Sequence, residues 1–267
     1  MPQLKSEGII LKSVNWKEQS KIFTVFTDNA GLQTLIDRGG RSIKSKRGRM
    51  MTFSRLDIAY FKSDKSGTGY VAETEPVETF LFEQEGTLGR LTFASAVMEL
   101  LYELLPRDEP QEELYNLTIS YIRLVNTKSK ASVIPVFLCY FLRLLSLLGY
   151  RPNFSGCIAC GKEKSKTSIN NSNGGRFFLF SPERGGLVCS SCQIAGEYYI
   201  KLQSDRLDIV NSLQTASLIE AAEIRFRLEE AEEILELLIG FLKYQTDSKD
   251  LKSLQFLEKL KRTNLKL

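Results

Sequence analysis

Four cysteines arranged as two C-x-x-C pairs are the residues with the most specific chemistry in this sequence. Cys157 and Cys160 form the first pair, and Cys189 and Cys192 form the second. Two such turns that converge bring four thiolates within tetrahedral reach of one zinc ion, and four thiolates leave no open position for water or substrate. The spacing therefore predicts one structural Zn²⁺ per chain that stabilises the fold and takes no part in catalysis.

Two other interpretations of the cysteine pairs are open, namely two disulfides or a redox-active C-x-x-C. No secretory signal supports the first and no βαβ pattern surrounds the second, so zinc is favoured. The pairs are further apart than in common zinc fingers, but the intervening chain holds a polar tract, KEKSKTSINNSNGG, and then an apparent strand, RFFLFS. An insertion would account for the length.

A second feature is the basic run GGRSIKSKRGRMM, from Gly39 to Met51, which contains no carboxylate. The chain as a whole carries a formal charge of only +4, so a polyanion partner is indicated by where the cations lie and not by their total. The run predicts phosphate contacts, and a solvated loop is the alternative. Its cations are Arg41, Lys44, Lys46, Arg47 and Arg49.

The chain contains no histidine. This removes the commonest general base and the usual partner of a nucleophilic Ser or Cys. We therefore expect no catalytic residues and a protein that is not an enzyme.

The N-terminal 80 residues have the pattern of short strands separated by turns. We predict strands at Leu4–Lys12, Lys21–Thr27, Leu32–Ile36, Leu56–Phe61 and Tyr70–Thr74. Five strands in this length fit a small barrel, with the basic run in the loop after the third strand. The aromatic residues Trp16, Tyr60, Phe61 and Tyr70 are candidates for base stacking or for ordinary core packing.

From Gly86 onward, apolar residues recur every three or four positions, which predicts helices. The segment Val133–Tyr150 is nearly long enough to span a membrane, but Arg143 lies near its centre and Pro135 in its first turn, so a buried helix is predicted. Cys139 within it is expected to be a small buried apolar residue. Near the C-terminus a stripe that begins at Leu228 is predicted to face the core.

With these features in view, the chain resembles the RecO family of bacterial recombination mediators. The likeness is carried by FTVFTDNAGLQTLIDRGGRSIKSK, FLRLLSLLGYRPNFSGCIACG, FSPERGGLVCSSC and LKSLQFL, which are spread from end to end. The sequence departs from the family pattern at Asp37-Arg38 and Ser42-Ile43, which bears on the detailed phosphate contacts.

The resemblance implies an α+β protein, with an N-terminal five-stranded OB-fold barrel over residues 1–80. A helical domain over 81–267 follows, with the four-cysteine zinc module embedded at about 153–200. Arg41, Lys44 and Lys46 fall on DNA-contacting positions of the family, and local charge adds Arg38, Arg47 and Arg49. The four cysteines fall on the zinc positions.

The resemblance also implies a function. Family members bind single- and double-stranded DNA, anneal complementary strands and, with RecR, help RecA replace single-strand binding protein (SSB). The expected partners are therefore DNA, RecR and the SSB C-terminal tail, in the bacterial cytoplasm at the nucleoid and with no membrane contact. Two alternatives stay open, a metal-dependent nucleic-acid enzyme and a zinc-stabilised protein-interaction module with an incidental basic loop.

Overall fold

The computed structural model describes residues 2–41, 50–62, 67–82, 87–127, 130–170, 176–246 and 251–252. The chain forms two compact units, Met1–Thr127 and Lys128–Leu267. The domain boundary after residue 80 stays a prediction.

The first unit contains a closed five-stranded barrel, as the strand pattern predicted. Its strands join in the order β1-β2-β3-β5-β4, and β1 closes the barrel by pairing with both β2 and β4. All pairs are antiparallel except that of β3 with β5. The strands are β1 Gln3–Trp16, β2 Ser20–Thr27, β3 Gly31–Asp37, β4 Ser54–Lys62 and β5 Thr68–Thr79.

The barrel encloses one apolar core. Alternate residues of each strand point inward, because successive side chains of a strand point to opposite faces and cross-strand partners share a face. The core residues are Ile10, Phe23, Val25, Leu35, Met50, Leu56, Ile58, Tyr60 and Val71. Their burial supplies the apolar driving force that holds the five strands in register.

The turn between β2 and β3 requires glycine. Gly31 has φ +66°, and a Cβ there would lie 2.1 Å from the carbonyl oxygen of Glu109. Beside it, Gln33 donates to the Asp108 carboxylate at 2.8 Å, and Lys62 forms an ion pair with the same carboxylate. The loop that contains Asp108 is thereby fastened to the barrel.

Two helices complete the first unit, α1 at Thr87–Leu104 and α2 at Glu112–Thr127. Tyr115 of α2 packs edge-on against Phe26, with ring centroids 5.5 Å apart, and its hydroxyl donates to Glu7 at 2.9 Å. Burial, followed by this bond to a carboxylate, raises the pKa of Tyr115 above its usual range. Helix α2 therefore covers the outer face of the barrel at Phe26.

The second unit begins with the apolar helix α3, Lys130–Leu147, which is buried as predicted. Pro135 lies inside it, and Cys139 is fully buried. The Arg143 guanidinium donates to the carbonyl oxygen of Ala216 at 2.8 Å, which gives the cation a polar partner within the protein. No helix in the described part of the chain is long and apolar enough to cross a membrane.

A small sheet and three further helices complete the second unit. The sheet has the order β10-β8-β9-β6, with β7 paired to β8. Its strands are β6 Asn153–Cys157, β7 Ile169–Asn170, β8 Arg176–Ser181, β9 Gly186–Val188 and β10 Ile200–Gln203. The helices are α4 Ser204–Thr215, α5 Leu218–Ala221 and α6 Leu228–Gln245.

Helix α6 differs from the prediction at one residue. Leu228 was assigned to the buried stripe, but its side chain is 51% exposed because it is the first residue of the helix and lies before the packed turns. Ala231, Leu235, Leu238 and Leu242, further along the same stripe, are buried.

Candidate functional site

The sheet of the second unit brings the two cysteine pairs together. Strands β6 and β9 are parallel neighbours, and Cys157 pairs with Leu187. Cys157 is the last residue of β6, and Cys189 directly follows β9. Because the carboxyl ends of parallel strands meet at the same edge of a sheet, each C-x-x-C turn begins beside the other.

The four sulfur atoms have the spacing of a shared metal site. All four Sγ atoms lie within 4.8 Å of one another, and those of Cys160 and Cys189 are 3.7 Å apart. A tetrahedral site with Zn–S bonds of about 2.3 Å has sulfur–sulfur edges of about 3.8 Å. The cluster can therefore hold one metal ion, and its four sulfurs would fill a tetrahedral coordination sphere.

The first turn is shaped by its glycines. Gly161 has φ +72° and its N–H donates to the carbonyl oxygen of Cys157 at 2.9 Å, while the Cys157 N–H donates to Lys162 at 2.8 Å. A Cβ on Gly156 would lie 2.4 Å from the carbonyl oxygen of Lys162. The chain can close this tightly around the first pair only with glycine at that position.

The second turn is a single 3-10 turn, Ser190–Cys192, in which the Cys192 N–H donates to the carbonyl oxygen of Cys189 at 3.0 Å. All five cysteines lie in the described part of the chain, and none is in a disulfide. The geometry thus matches the predicted four-thiolate cluster.

The electrostatics of the cluster favour a bound cation. Burial raises the pKa of the Cys157 thiol, but backbone N–H groups of Cys189, Cys160 and Ala159 point at its sulfur and bring the pKa down to about 6. The pKa of Cys192 is raised to about 12 by its hydrogen bonds to Cys189 and Cys160, and also by the nearby Cys157 charge. One thiolate forms readily, whereas further negative charge in the cluster needs a compensating cation.

A polar network supports the chain beyond the second pair. Glu197, whose side chain is 6% exposed, forms an ion pair with Arg184 at 2.9 Å and accepts hydrogen bonds from Ser181 and Tyr199. Arg184 also donates to the carbonyl oxygen of Cys192 at 3.4 Å. Burial raises the pKa of Glu197, and the bonds from Ser181, Tyr199 and Arg184 outweigh it, so the pKa lies below its usual value. Arg184 is thus a structural cation beside the cluster.

The predicted DNA-binding residues are only partly in the described chain. Arg38 directly follows β3, Arg41 lies three residues further on, and both are exposed. Arg38 stacks on the Tyr70 ring, with its guanidinium carbon 4.3 Å from the ring centroid. The remaining predicted residues lie outside the described residues, namely Lys44, Lys46, Arg47 and Arg49.

The base of the basic loop is fastened to the turn between β1 and β2. The Arg41 N–H donates to Gln19 at 3.2 Å, and its guanidinium donates to the carbonyl oxygen of Lys17 at 3.1 Å. Lys17 has φ +55° and its ammonium lies over the Trp16 ring, 4.3 Å from the centroid. Lys17 therefore adds a cation to this end of the barrel. Lys17 is not among the predicted contacts because it lies in a different turn from the basic run.

The four candidate aromatic residues differ in their exposure to solvent. Tyr60 is 1% exposed and belongs to the barrel core, so it cannot stack on a base. Phe61 is 38% exposed, and Trp16 and Tyr70 are partly exposed. Core packing was therefore the correct alternative for Tyr60 alone.

Carboxylates gather on another side of the barrel. Glu7, Asp28, Asp57, Glu73 and Glu75 line an open groove of about 840 Å³ across β1, β4 and β5. Among the described residues, the four cysteines are the one group of potential ligands close enough together to share a metal ion. The groove gives the barrel an acidic side distinct from the turn that holds Arg41.

Comparison with known proteins relates these features to a family. The model described as "Recombination protein O N terminal" matches residues 1–80, and "Recombination protein O C terminal" matches residues 85–255. A "DNA repair protein RecO" from Symbiobacterium thermophilum is 28% identical over 256 residues, covering 96% of each chain.

Further relatives with the same name match over nearly their whole length. The protein from Desulforamulus reducens is 25% identical, covering 98% of this chain and 96% of its own. That from Alkaliphilus metalliredigens is 25% identical, covering 96% of this chain and 99% of its own.

Proposed function

The chain belongs to the RecO family, and on that premise we propose that it is a DNA-binding mediator of recombinational DNA repair. It binds single- and double-stranded DNA, anneals complementary strands and acts with RecR to help load RecA onto SSB-coated DNA. RecR, the acidic C-terminal tail of SSB and both forms of DNA are its partners. Its place of action is the bacterial cytoplasm, at the nucleoid.

The observation that carries this proposal is the accumulation of cations at one end of the barrel. Arg38 and Arg41 are exposed where β3 ends, and Lys17 lies in the turn that Arg41 contacts. The carboxylates of the barrel line a groove elsewhere. A DNA backbone is attracted to the first surface and repelled by the second.

The residues that follow Arg41 in the sequence add further positive charge. Lys44, Lys46, Arg47 and Arg49 follow within eight residues of Arg41. Cations of this kind displace counterions from phosphates, so affinity is largely independent of base sequence and falls as salt rises.

Annealing on such a surface needs no catalytic residue. Two complementary strands held against one cationic surface repel each other less and reach a higher local concentration. No bond is made or broken, so we propose a mediator that is not an enzyme.

The cysteine cluster has a structural role in this proposal. The metal is Zn²⁺, one per chain, held by Cys157, Cys160, Cys189 and Cys192, because an all-thiolate tetrahedral donor set suits zinc. When bound, the ion cross-links the ends of β6 and β9 and leaves no ligand position for substrate.

The test is a salt series of DNA titrations with the intact protein. Arg41→Ala combined with Lys44→Ala and Lys46→Ala removes three candidate phosphate contacts. We expect weaker binding of a labelled oligonucleotide and a salt slope shallower by about 2, at about 0.7 per single-strand contact.

A matched variant controls for net charge. A second triple variant, Lys5→Ala with Lys201→Ala and Lys243→Ala, also removes three positive charges, but from exposed positions outside the basic run. It should keep the salt slope of the wild type. If both triple variants change binding equally, the basic loop has no special role. If the wild-type chain does not bind DNA at low salt, the proposed function is wrong.

A further inference from the structure

The four clustered cysteines differ in their exposure to solvent. Cys160 is exposed, Cys192 is half-buried, and Cys157 and Cys189 are each 2% exposed. The fifth cysteine, Cys139, is fully buried in α3. Oxidation of a thiolate requires access to its sulfur. An oxidant that arrives from solvent therefore meets Cys160 first.

The turn at the end of β6 explains why Cys160 lies at the surface. Gly161, with φ +72°, lets the chain turn directly after Cys160. Residues 159–163 are all exposed. Cys157, by contrast, is the last residue of β6 and is buried. The first C-x-x-C pair thus places one cysteine at the surface and the other inside.

A buried sulfur lies beside the exposed one. The Sγ atoms of Cys160 and Cys189 are 3.7 Å apart, and the two residues belong to different C-x-x-C turns. A disulfide bond is about 2.05 Å long, so rotation of the two side chains toward each other would bring the sulfurs into bonding distance. An accessible thiol next to a second, resolving thiol is the arrangement found in redox-sensitive proteins.

Cys157 is the other candidate partner for Cys160, but hydrogen bonds hold it in place. Its sulfur accepts from the Cys189 N–H at 3.4 Å, and its own N–H donates to the carbonyl oxygen of Lys162 at 2.8 Å. A disulfide within the first turn would pull the Cys157 sulfur away from the Cys189 N–H. The geometry therefore favours a bond between the two turns.

We propose that Cys160 is an oxidation site for hydrogen peroxide and that its oxidation leads to a disulfide with Cys189. The inference rests on the cysteine cluster and is independent of the DNA-binding function proposed above. A disulfide between these residues leaves Cys157 and Cys192 as the remaining thiolates. Because a structural zinc site needs four ligands, oxidation should also release the ion.

The proposed oxidation has two steps. First, the Cys160 thiolate attacks one oxygen of hydrogen peroxide, the O–O bond breaks, and hydroxide leaves a sulfenic acid on Cys160. Second, the Cys189 thiolate attacks that sulfur, so that the S–S bond forms while the S–O bond breaks and a second hydroxide leaves. The two sulfurs lose two electrons to the peroxide, and two protons from solvent convert the hydroxides to water. A thiol reductant reverses the reaction.

The experiment uses the intact, zinc-loaded protein with Cys139→Ala, which leaves the four clustered cysteines as the only thiols. Hydrogen peroxide is added in steps, zinc release is followed with a chromogenic chelator, and free thiols are counted. Disulfides are mapped by mass spectrometry of peptides. We expect two thiols to be lost as the zinc is released, and Cys160–Cys189 to be the main disulfide. A thiol reductant with added zinc should restore the starting state.

A pair of variants tests which sulfur reacts first. Cys160→His removes the exposed sulfur but keeps a zinc ligand, because imidazole also coordinates zinc. It should release zinc at least about tenfold more slowly, since the remaining sulfurs are less accessible. Cys192→His is the matched control, because it makes the same replacement and keeps Cys160. It should release zinc at close to the rate of the protein without either change.

Trapping of the sulfenic acid gives the order of attack without these variants. A cyclic diketone that reacts with sulfenic acids should label Cys160 before any other cysteine. First labelling at Cys192, or a main disulfide between Cys157 and Cys160, would overturn the inference. Zinc that stays bound while peroxide oxidises an added small thiol would also overturn it. Protein that contains no zinc at the start would contradict the metal assignment instead, and the peptide map would still test the disulfide.

Discussion

The Sγ atoms of Cys160 and Cys189 lie 3.7 Å apart although 29 positions separate the two residues in the chain. This is close to the edge of a tetrahedron of thiolates around zinc, about 3.8 Å. The contact joins the end of one C-x-x-C turn to the start of the other. A metal site formed by these cysteines therefore depends on the pairing of β6 with β9 as much as on the cysteines themselves.

Zinc content tests this relationship directly. We expect about one zinc per chain in protein purified without chelator, as a closed four-thiolate site requires. Cys160→Ser should lower the zinc content and the thermal midpoint, because metal binding contributes folding free energy. Cys139→Ala is the control for zinc content, which it should leave unchanged, since Cys139 lies in α3 and is not one of the four clustered cysteines. Elemental analysis that finds well below one zinc in the wild type would contradict the four-thiolate site.

The ion pair between Glu197 and Arg184 predicts a pH-dependent stability. The pKa of Glu197 is lowered in the folded protein, so its charged form stabilises the fold above the ordinary Glu pKa of about 4.3. That contribution is lost as the pH falls through the lowered folded pKa. Glu197→Gln should cost about 1–3 kcal/mol at pH 7, with the difference from the wild type shrinking toward zero in acid.

Urea unfolding at a series of pH values measures the Glu197 effect. Glu183→Gln is the matched control, because Glu183 is exposed and is the residue directly before Arg184. If the stability difference between Glu197→Gln and the wild type stays constant from pH 7 to pH 3, the carboxylate charge is not its cause.

The turn at Gly31 predicts that one added methyl group strongly destabilises the first unit. Gly31→Ala should destabilise the first unit by about 2–5 kcal/mol, because it adds left-handed backbone strain to a clash with Glu109. Gly67→Ala separates strain from clash, since Gly67 has φ +60° but no atom of the described residues lies within 4 Å of its Cβ position. It should show the strain alone, about 1–2 kcal/mol. Thermal or urea unfolding measures the loss of stability in both variants. Equal losses would rule out the clash with Glu109 as a cause.

The proposed mediator role predicts that the protein does not cleave DNA. The carboxylates of the acidic groove are the candidate ligands for the enzyme alternative. Because annealing makes and breaks no bond, labelled DNA should stay intact with magnesium or manganese. Cleavage that disappears with Asp57→Asn would favour the enzyme alternative over a mediator.

Several features were predictable because they depend only on residues that are close together in the sequence. The strands β1 to β5 were found because they are short segments separated by turns. The buried helix α3 was distinguished from a membrane span by Arg143 and Pro135. Leu228 was misplaced because helical periodicity does not specify the residue at which packing begins.

The sequence by itself determined the barrel strands, the basic run and the two cysteine pairs, since each is encoded in a short stretch of chain. Only the tertiary structure decided that Tyr60 faces the core while Tyr70 is partly exposed and contacts Arg38, and that Lys17 contacts Arg41. These facts depend on strand register and barrel closure. A shift of one residue exchanges the two faces of a strand, so only pairing between distant segments could settle them.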